Sequence, residues 1–351
     1  MHKIQDYILK RPWLKRSIYT LISLLVFFTV VGLILFYIGK PQNKITWGIT
    51  YSTLHAKELG FDPQLLFTTI LTDLQPKVVR LPAYWSELEA EKGQFNFSQI
   101  EGLLSQTEKT LSSENKTEVL LVIGLKQPRW PECHQPAWYN DVSLQEQEQT
   151  TLNMIYKTVN ELKKYKSIKA WQIENEPYFA YGPGCPEIKK DMYSREIEIV
   201  NSLDSRPIVG TDSGEKGLWI PVANSGVDIL GATMYREAYY EKQEKYITYP
   251  LPWWTYNIKA GLVKLFSKSK NVIGVELQAE PWLTIANPKA TPPAEQLLHM
   301  NPIIFQKNIN YATNVGFSEN YLWGVEWWYW MQREHSDNSM INKAKEFFQQ
   351  N

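Results

Sequence analysis

Two segments of the sequence place glutamates directly after short apolar runs. One is KAWQIENEPYF, which supplies Glu174, Asn175 and Glu176, and the other is NVIGVELQAEPW, which supplies Glu276 and Glu280. A protonated carboxyl group facing an ionised one can serve as general acid and nucleophile, and such a pair hydrolyses glycosidic bonds with retention of configuration. A lone glutamate in such a place is more often a solvated loop residue or part of an ion pair. The hypothesis therefore rests on the two segments together.

The elements around these segments alternate between strand and helix. Helix-start signals occur at Asp62-Pro63, Ser98-x-x-Glu101 and Ser143-x-x-Glu146, between short apolar or β-branched runs. The alternation predicts an α/β fold, a (β/α)8 TIM barrel, in which active residues lie at the carboxyl ends of the strands. We therefore expect the glutamates after strands four and seven to share one mouth. The predicted strands are 45–50, 78–81, 119–125, 170–173, 208–211, 227–233, 272–275 and 321–325.

Composition and short motifs exclude several classes of function. The chain has 37 Lys and Arg residues and 37 Asp and Glu residues, so its formal net charge is zero. Without an excess of positive charge, a nucleic-acid partner is not expected. Two cysteines and five histidines are scattered without a Cys-x-x-Cys or His-Glu-x-x-His segment, and we expect no bound metal. No Gly-x-Gly-x-x-Gly follows an early strand, so no cofactor is expected. The oligomeric state stays open.

The N-terminal region is predicted to be a membrane anchor. Residues 17–38 are uncharged and mostly apolar, and at about 1.5 Å per helical residue they span a hydrocarbon core of about 30 Å. Basic residues precede them, which places the N-terminus in the cytoplasm. A cleaved signal peptide is the alternative, but its apolar region is shorter and ends in small residues. We expect a cytoplasmic tail over 1–16, a transmembrane anchor over 17–39 and an extracytoplasmic barrel over 42–351.

The chain after the anchor resembles the retaining glycoside hydrolases of clan A, especially the cellulase-like family 5 and the β-galactosidase-like family 42. The resemblance lies in Asn175-Glu176 after strand four, in Glu276 after strand seven, and in VVRLPAYWSELEAEKGQFNFSQIE around strand two. It implies that Glu176 is the acid/base and Glu276 the nucleophile. It also implies that Arg80 and the strand-six Tyr235 support the nucleophile, and that WGVEWWYW is the Trp cluster of strand eight.

The chemistry of these residues agrees with the implied roles. Glu176 needs a raised pKa to donate a proton, which aromatic neighbours can provide by excluding water. Glu276 must stay ionised, and Arg80 and the Tyr235 hydroxyl are suitable partners for its carboxylate. Glu174, two residues before Glu176 in an extended strand, is expected to lie one layer deeper on the same side. We therefore expect Glu174 to be a buried hydrogen-bond partner and not the acid.

Further side chains are candidates for contact with a sugar. Aromatic faces stack on the apolar faces of sugar rings, and Trp85, Trp130 and Trp327 directly follow strands two, three and eight. Packing between barrel and helices is the alternative for each tryptophan. A structural role is likewise the alternative for two polar candidates, His134 and Glu280. The polar candidates are Asn175, expected to bond the sugar 2-hydroxyl, His134 and Glu280.

Cys133 and Cys185 are predicted to form a disulfide bond. They lie in the loops after strands three and four, and neighbouring barrel strands are only about 4.8 Å apart. An exported domain tolerates disulfides. Two separately packed thiols are the alternative, because a bridge needs Cα atoms within about 7 Å. The Tyr- and Trp-rich insertion 236–256 is expected to be a wall or lid of the cleft.

The leading hypothesis is a membrane-anchored retaining glycoside hydrolase that cleaves a β-linked glycoside or polysaccharide outside the cytoplasm. A non-catalytic carbohydrate-binding TIM barrel is the alternative, but it would lose a catalytic carboxylate, and both Glu176 and Glu276 are present. In a structural or partner-binding membrane protein the carboxylates would be accidental. The sequence leaves open the sugar, the linkage, and whether cleavage is internal or terminal.

Overall fold

Eight parallel strands close into a barrel in the computed structural model, which describes residues 12–40, 44–112, 116–185, 187–285 and 287–350. The strands are β1 (Thr46–Thr50), β2 (Val78–Pro82), β3 (Glu118–Ile123), β4 (Ile168–Ile173), β5 (Ile208–Asp212), β6 (Ile229–Met234), β9 (Asn271–Gln278) and β10 (Glu319–Trp323). They follow one another around the barrel in chain order, and β10 pairs with β1. The predicted TIM barrel is confirmed.

A two-stranded antiparallel hairpin lies between the sixth and seventh barrel strands. It consists of β7 (Glu237–Tyr240) and β8 (Lys245–Thr248), joined by a 3-10 turn at Glu241–Gln243. The hairpin occupies the predicted insertion 236–256. It therefore extends the edge of the barrel mouth on the side of β6.

Helices cover the outside of the barrel and follow the strands in the predicted alternation. Further 3-10 turns lie at Ala137–Asp141 and Pro288–Ala290. The helices are α1 (Pro12–Gly39), α2 (Thr53–Glu58), α3 (Pro63–Leu74), α4 (Trp85–Leu88), α5 (Ser98–Thr110), α6 (Leu144–Leu162), α7 (Lys190–Leu203), α8 (Ile220–Ala223), α9 (Trp254–Phe266), α10 (Pro293–His299), α11 (Pro302–Val315), α12 (Val325–His335) and α13 (Ser339–Gln350).

Two of the three predicted helix starts are capped as expected. The side chain of Asp62 accepts from the N–H of Leu65 before α3, and that of Ser143 accepts from Glu146 before α6. At α5 the prediction of Ser98 as the cap is wrong, because the helix already begins there. The Asn96 side chain, two residues earlier, accepts from the Ser98 N–H at 3.0 Å instead.

The barrel lumen changes from apolar to polar toward the carboxyl ends of the strands. Because alternate residues of a barrel strand face the lumen, a residue two positions further along belongs to the next layer. The layer nearer the mouth contains Arg80, Gln172 and Thr211, which are all buried and lie two positions after Val78, Ala170 and Val209 of the apolar layer. Polar groups are thereby brought to the mouth. The apolar layer beneath them is formed by Val78, Leu120, Ala170, Val209, Ile273, Val275 and Tyr321.

The N-terminal helix α1 stands apart from the barrel layers. Among the described residues it is the one helix long and apolar enough to cross a membrane, over Trp13–Gly39, although a signal sequence passes the same test. Most of its surface is exposed, and its last turns pack against α9. The predicted cytoplasmic tail 1–16 lies mostly outside the described residues.

Candidate active site

Glu276 is held by two hydrogen-bond donors at the carboxyl end of β9. The Arg80 guanidinium donates to Oε1 at 2.7 Å, and the Tyr235 hydroxyl, just after β6, donates to Oε2 at 2.9 Å. The Glu276 carboxylate is almost completely buried. Two donors therefore fix both oxygen atoms of this carboxylate.

Arg80 acts through other side chains and does not itself face a cavity. It is fully buried, and besides Glu276 it donates to Gln172 Oε1 at 2.7 Å and to Asn175 Oδ1 at 2.8 Å. Two cavities open at the mouth of the barrel, and Arg80 lines neither of them. Arg80 therefore supports Glu276, as the resemblance implied, and also positions Asn175; it does not line the cleft as a substrate-binding residue would.

A β-bulge in β9 aims Glu276 at the mouth. Opposite Ala232 and Thr233 of β6, the partners on β9 are Gly274 and Glu276, so Val275 is skipped in the pairing. Val275 packs in the barrel lumen, whereas Glu276 lines the mouth. Such bulges commonly re-aim a side chain next to an active site.

The backbone after β4 turns sharply and does not continue as a strand. The strand ends at Ile173, and Glu174 and Glu176 have φ values of 59° and 47°, in the left-handed region. Each such residue costs about 1–3 kcal/mol and persists where surrounding contacts hold it. Here the Glu174 carboxylate accepts from the backbone N–H groups of Leu125 at 2.8 Å and Lys126 at 2.5 Å. Glu174 is a buried hydrogen-bond partner, but a turn places it there and not strand alternation.

Glu176 stands in an environment opposite to that of Glu276. Its backbone N–H donates to Thr211 Oγ1 at 2.9 Å, which holds the turn against β5. Burial, and then the nearby carboxylates of Glu276 and Glu132, raise the pKa of Glu176 well above its usual range. A carboxyl group that keeps its proton at neutral pH can act as a general acid.

Glu132 is a third carboxyl group at the mouth, and the sequence analysis missed it. It lies in the loop after β3 with φ of 75°, and its Oε2 accepts from Asn175 Nδ2 at 3.2 Å. Burial, followed by repulsion from Glu276, raises its pKa to about 8. The signal in the sequence was its neighbour Cys133, since joining that loop to the one after β4 brings Glu132 to the mouth.

Glu215, which was also not predicted from the sequence, holds the backbone of Tyr235 in place. Its carboxylate accepts from the Tyr235 backbone N–H at 2.5 Å, from the Tyr256 hydroxyl at 3.0 Å and from Thr233 Oγ1 at 2.9 Å. These donors tie the loop after β5 to β6 and α9. The hydroxyl of Tyr235 is therefore held in the place where it meets Glu276.

Two adjoining cavities open at this end of the barrel. The larger, here called the Arg129 cavity, has a volume of about 420 Å³, and the other, here called the Glu176 cavity, has about 300 Å³. Glu276, Tyr235 and Glu132 line both, whereas Glu176 lines only the cavity named after it. The two predicted catalytic glutamates therefore meet at the junction of one continuous cleft.

Trp130 and Trp85 differ in access to this cleft. Trp130 is 50% exposed, lines both cavities and meets the Tyr181 ring edge-on at 5.7 Å. Trp85 is 0% exposed, packs edge-on against Tyr139 at 5.0 Å, and donates its indole N–H to Glu89 at 2.8 Å. The prediction of Trp85 as a sugar platform is wrong, because this side chain belongs to the packing between barrel and helices.

Two other candidates also have structural roles. Trp327 borders the Arg129 cavity but is fully buried, and its indole N–H donates to Gln296 Oε1 at 2.7 Å. His134 lines neither cavity, lies 2.9 Å from the Arg129 carbonyl oxygen through Nε2, and has its pKa lowered to about 4 by burial. Neither side chain presents a free face or polar atom to a sugar, so both substrate-binding assignments are corrected.

Arg129 organises the floor of its cavity and was not foreseen. Its guanidinium lies 4.3 Å from the centroid of the Trp323 ring and pairs with Glu280 and, at 3.1 Å, with Glu326. Glu280 lines the cavity, but its carboxylate is engaged by this ion pair. The ion pair gives Glu280 a structural role at the rim of the cleft, while contact with a substrate stays a prediction.

The cleft has a covalently joined wall and a hairpin wall. Cys133 and Cys185 form a disulfide bond with Cα atoms 5.4 Å apart, which joins the loops after β3 and β4 beside Glu132. On the other side, Tyr239 and Tyr240 of the β7–β8 hairpin line the Glu176 cavity, so the insertion is a wall of the cleft. Within the described ranges, no group of three or more His, Cys, Asp or Glu is placed to hold a metal ion.

Solved structures of glycoside hydrolases share this fold. An exo-β-1,4-mannosidase from Opitutaceae bacterium strain TAV5 has a TM-score of 0.55 at 14% sequence identity, over 81% of this chain and 53% of that one. A GH5_18 variant from Bifidobacterium longum subsp. longum, in complex with Manβ1-4GlcNAc, has a TM-score of 0.57 at 12% identity, over 88% and 78%. GH5_18 from Streptomyces cattleya, in complex with GlcNAc, has 0.53 at 11% identity, over 81% and 71%.

At these identities the likeness shows the fold, a barrel shared with glycoside hydrolases. This chain spans about half the length of the Opitutaceae mannosidase. No protein-family model matches the chain, and no curated protein matches it in sequence. The activity must therefore be argued from the site itself.

Proposed function

We propose that the protein is a retaining glycoside hydrolase that cleaves a β-linked glycoside or polysaccharide, with Glu176 as acid/base and Glu276 as nucleophile. One observation carries the proposal: two carboxyl groups meet in one cleft in opposite surroundings. Glu276 is bound by Arg80 and Tyr235, whereas Glu176 is desolvated among other carboxyl groups. Its structural neighbours are glycoside hydrolases, which supports the same class of reaction.

The reaction takes two steps in this proposal. The Glu276 carboxylate attacks the anomeric carbon while the Glu176 proton passes to the glycosidic oxygen, so the bond to the leaving group breaks and a glycosyl-enzyme ester forms. Glu176, now ionised, then removes a proton from a water molecule that attacks the same carbon. The ester bond breaks, Glu276 is released, and the configuration is restored by two inversions.

The two cavities give the bound sugar a direction. The acid must lie beside the leaving-group oxygen, and Glu176 lines only the Glu176 cavity, so this cavity takes the leaving group. The Arg129 cavity then takes the sugar that becomes attached to Glu276. Trp130 borders both and is the exposed aromatic platform. Asn175, fixed by Arg80, lines the Glu176 cavity, and in this proposal it bonds the 2-hydroxyl of the sugar attached to Glu276 from that side.

β-Mannosides are the first substrates to test. One structural neighbour is an exo-β-1,4-mannosidase and another was solved with Manβ1-4GlcNAc. The full-length protein, in detergent, should be assayed with aryl β-mannosides, β-glucosides and β-galactosides and with the corresponding polysaccharides. We expect turnover of at least one substrate, and the first-formed sugar should be the β-anomer by NMR.

Two results would contradict the proposal. A first-formed α-anomer would show inversion and exclude a nucleophilic Glu276. Saturable binding of sugar without turnover of any substrate would favour the non-catalytic carbohydrate-binding barrel. The Glu276→Gln variant is the matched control, because it keeps the shape of the cleft and removes the nucleophile.

We also propose that α1 anchors this domain in a membrane. In this arrangement 1–16 is a cytoplasmic tail, 17–39 is the anchor and 42–351 is an extracytoplasmic glycosidase domain, supported by the apolar helix and the basic residues before it. An N-terminal tag should stay protected from protease added outside intact cells, while a C-terminal tag should become accessible once any outer barrier is opened. A soluble mature protein beginning near Lys40 would contradict the anchor.

A further inference from the structure

We propose that the end of α9, with the lysine-rich turn after it, is a lipid-contacting surface that seats the barrel on the bilayer with the active-site mouth facing away from it. This seating surface consists of Leu265, Phe266, Lys268 and Lys270. The inference rests on the proposed membrane anchor and not on the proposed chemistry. It concerns how a phospholipid bilayer contacts the barrel.

The anchor helix and α9 are in direct backbone contact. A Cβ atom on Gly39 would lie 1.7 Å from the Asn257 carbonyl oxygen, and one on Gly261 would lie 2.1 Å from the Leu35 carbonyl oxygen. Glycines allow such a close approach, as they do between membrane helices. The Lys264 ammonium also donates to the carbonyl oxygens of Ile38 and Gly39 at 3.1 and 3.3 Å. The end of α1 is therefore docked on the barrel and does not lead into a free tether.

The two helices run antiparallel where they touch. Gly39 lies at Asn257 and Leu35 lies at Gly261, so residue numbers fall along α1 as they rise along α9. One further turn brings Leu265 level with Val31. Val31 and Gly32 are half-buried while the next two residues are exposed, as expected if α9 covers one face of α1 there. Val31 belongs to the apolar stretch 17–38 that we propose to cross the bilayer, so the end of α9 reaches the level of the lipid.

The chemistry of the seating surface fits contact with the lipid interface. Leu265 and Phe266 are exposed, the latter by 64%, and the exposed Lys268 and Lys270 follow directly. Apolar side chains at the boundary of the acyl chains, with lysine ammonium groups beside the lipid phosphates, are typical of segments that lie in a membrane interface. The bilayer beside α1 is thus the partner that covers these side chains.

The direction of the mouth follows from the same contact. Helices of a TIM barrel run opposite to its strands, and α1 runs opposite to α9, so α1 and the strands point the same general way. With its N-terminus in the cytoplasm, α1 points outward, and the carboxyl ends of the strands do too. The cleft therefore opens toward the external medium and away from lipid headgroups.

Site-directed spin labelling of the full-length protein tests this inference. Both native cysteines are joined in the disulfide, so a nitroxide can be attached selectively at Phe266→Cys. Leu144→Cys is the matched control, since Leu144 is an exposed apolar residue, 79% accessible, at the start of α6 on the mouth side. The protein is reconstituted in vesicles of phosphatidylcholine with phosphatidylglycerol.

The label at 266 should collide several-fold more often with oxygen, which concentrates in lipid, than with a water-soluble nickel complex. The label at 144 should show the reverse order. Equal accessibility of the two labels to nickel would overturn the proposal. Near-UV circular dichroism and vesicle flotation on the same samples verify folding and anchoring, and a protein that does not float overturns the anchor and this surface with it.

A second variant tests the helix contact itself. Gly261→Leu places a side chain against the α1 backbone, so a label at 266 should become several-fold more accessible to nickel while the folded protein still floats with the vesicles. An unchanged label would contradict the docking of α1 on α9. Glycoside turnover is measured in parallel: its absence, with the label at 266 still in lipid, counts against the proposed enzyme and supports the seating surface.

Discussion

The side of the cleft at β9, the seventh barrel strand, and the side after β4, the fourth, each present a glutamate, but in opposite surroundings. On one side, the Glu276 carboxylate receives a guanidinium N–H from Arg80 and a hydroxyl from Tyr235. On the other, burial and neighbouring carboxylates raise the pKa of Glu176 well above its usual range. The donors and charges around each glutamate, and not its residue type, are therefore the basis for the proposed roles, Glu276 as nucleophile and Glu176 as acid.

The two sides also differ in how they are built. Glu276 is positioned from within the barrel, by the fully buried Arg80 and by a bulge in β9. Glu176 is positioned by loops, one of which carries Glu132 and is joined to the other by the disulfide. Changes on the strand-seven side should therefore remove chemistry outright, whereas changes in the loops should shift its pH dependence or its robustness.

Removal of the proposed nucleophile, Glu276, should have the largest effect. Glu276→Ala should lower kcat by about 10⁴-fold or more, since no glycosyl-enzyme can form. Azide or formate should restore part of the turnover and yield a product of the opposite configuration, measured by NMR. Glu280→Ala, in the loop directly after β9, is the control, because Glu280 is paired with Arg129 and its loss leaves no vacancy beside the anomeric carbon. Equal rescue of both variants would contradict the assignment.

Removal of the proposed acid, Glu176, should have an effect that depends on the substrate. Glu176→Ala should cost roughly 10²–10⁴-fold for leaving groups that need protonation, and far less for dinitrophenolate, which leaves without it. The slope of log kcat/KM against leaving-group pKa measures the difference. Losses of one size for every leaving group would show that Glu176 is not the proton donor.

Removal of the third carboxyl group should shift the pH profile. Glu132 helps to raise the pKa of Glu176, so Glu132→Gln should lower that pKa. Because the acid must be protonated, activity is lost as pH rises through its pKa, and the alkaline limb of kcat/KM should move to lower pH. Glu241→Gln is the control, since Glu241 lines both cavities but is not among the main causes of the pKa shift of Glu176. An unmoved or upward-moved limb in the Glu132 variant would contradict this coupling.

Loss of the disulfide should have the smallest effect on the chemistry. The Cys133→Ser, Cys185→Ser variant should unfold more easily by about 2–4 kcal/mol, because the bond closes a long loop in the unfolded chain. Denaturant unfolding of the folded variant and its parent measures this, while kcat at low temperature should change little. Mass spectrometry of the unreduced protein should find the two tryptic peptides linked. Complete alkylation of both thiols without reductant would show that no bond forms.

Local sequence patterns were sufficient for the barrel and for the ends of its strands. The alternation of apolar runs with amphipathic stretches carries the strand and helix periods directly, so all eight strands were predicted within a few residues of their bounds. Strand ends then brought Glu176 and Glu276 to one mouth. Tyr235 was placed in the same way, through its position just after β6.

The direction in which a side chain points after a strand could not be predicted from the sequence. Trp85 and Trp327 follow strands as Trp130 does, yet both are fully buried while Trp130 is half exposed. His134 belongs to a loop at the mouth but turns inward toward the Arg129 carbonyl. Position after a strand indicates which end of the barrel a residue occupies, but neighbours distant in sequence decide which way it faces.

By itself, the sequence determined the fold class, the alternation of strands and helices, and the two carboxylates that the barrel would bring together. Only the tertiary structure decided the turn that strains Glu174 and Glu176, the bulge that aims Glu276, and the approach of Glu132 to Asn175. The physical reason is range: periodicity is local, whereas these features depend on contacts between distant residues, such as the one from Arg80 to Glu276. Their strength comes from burial, which no single segment of the chain provides alone.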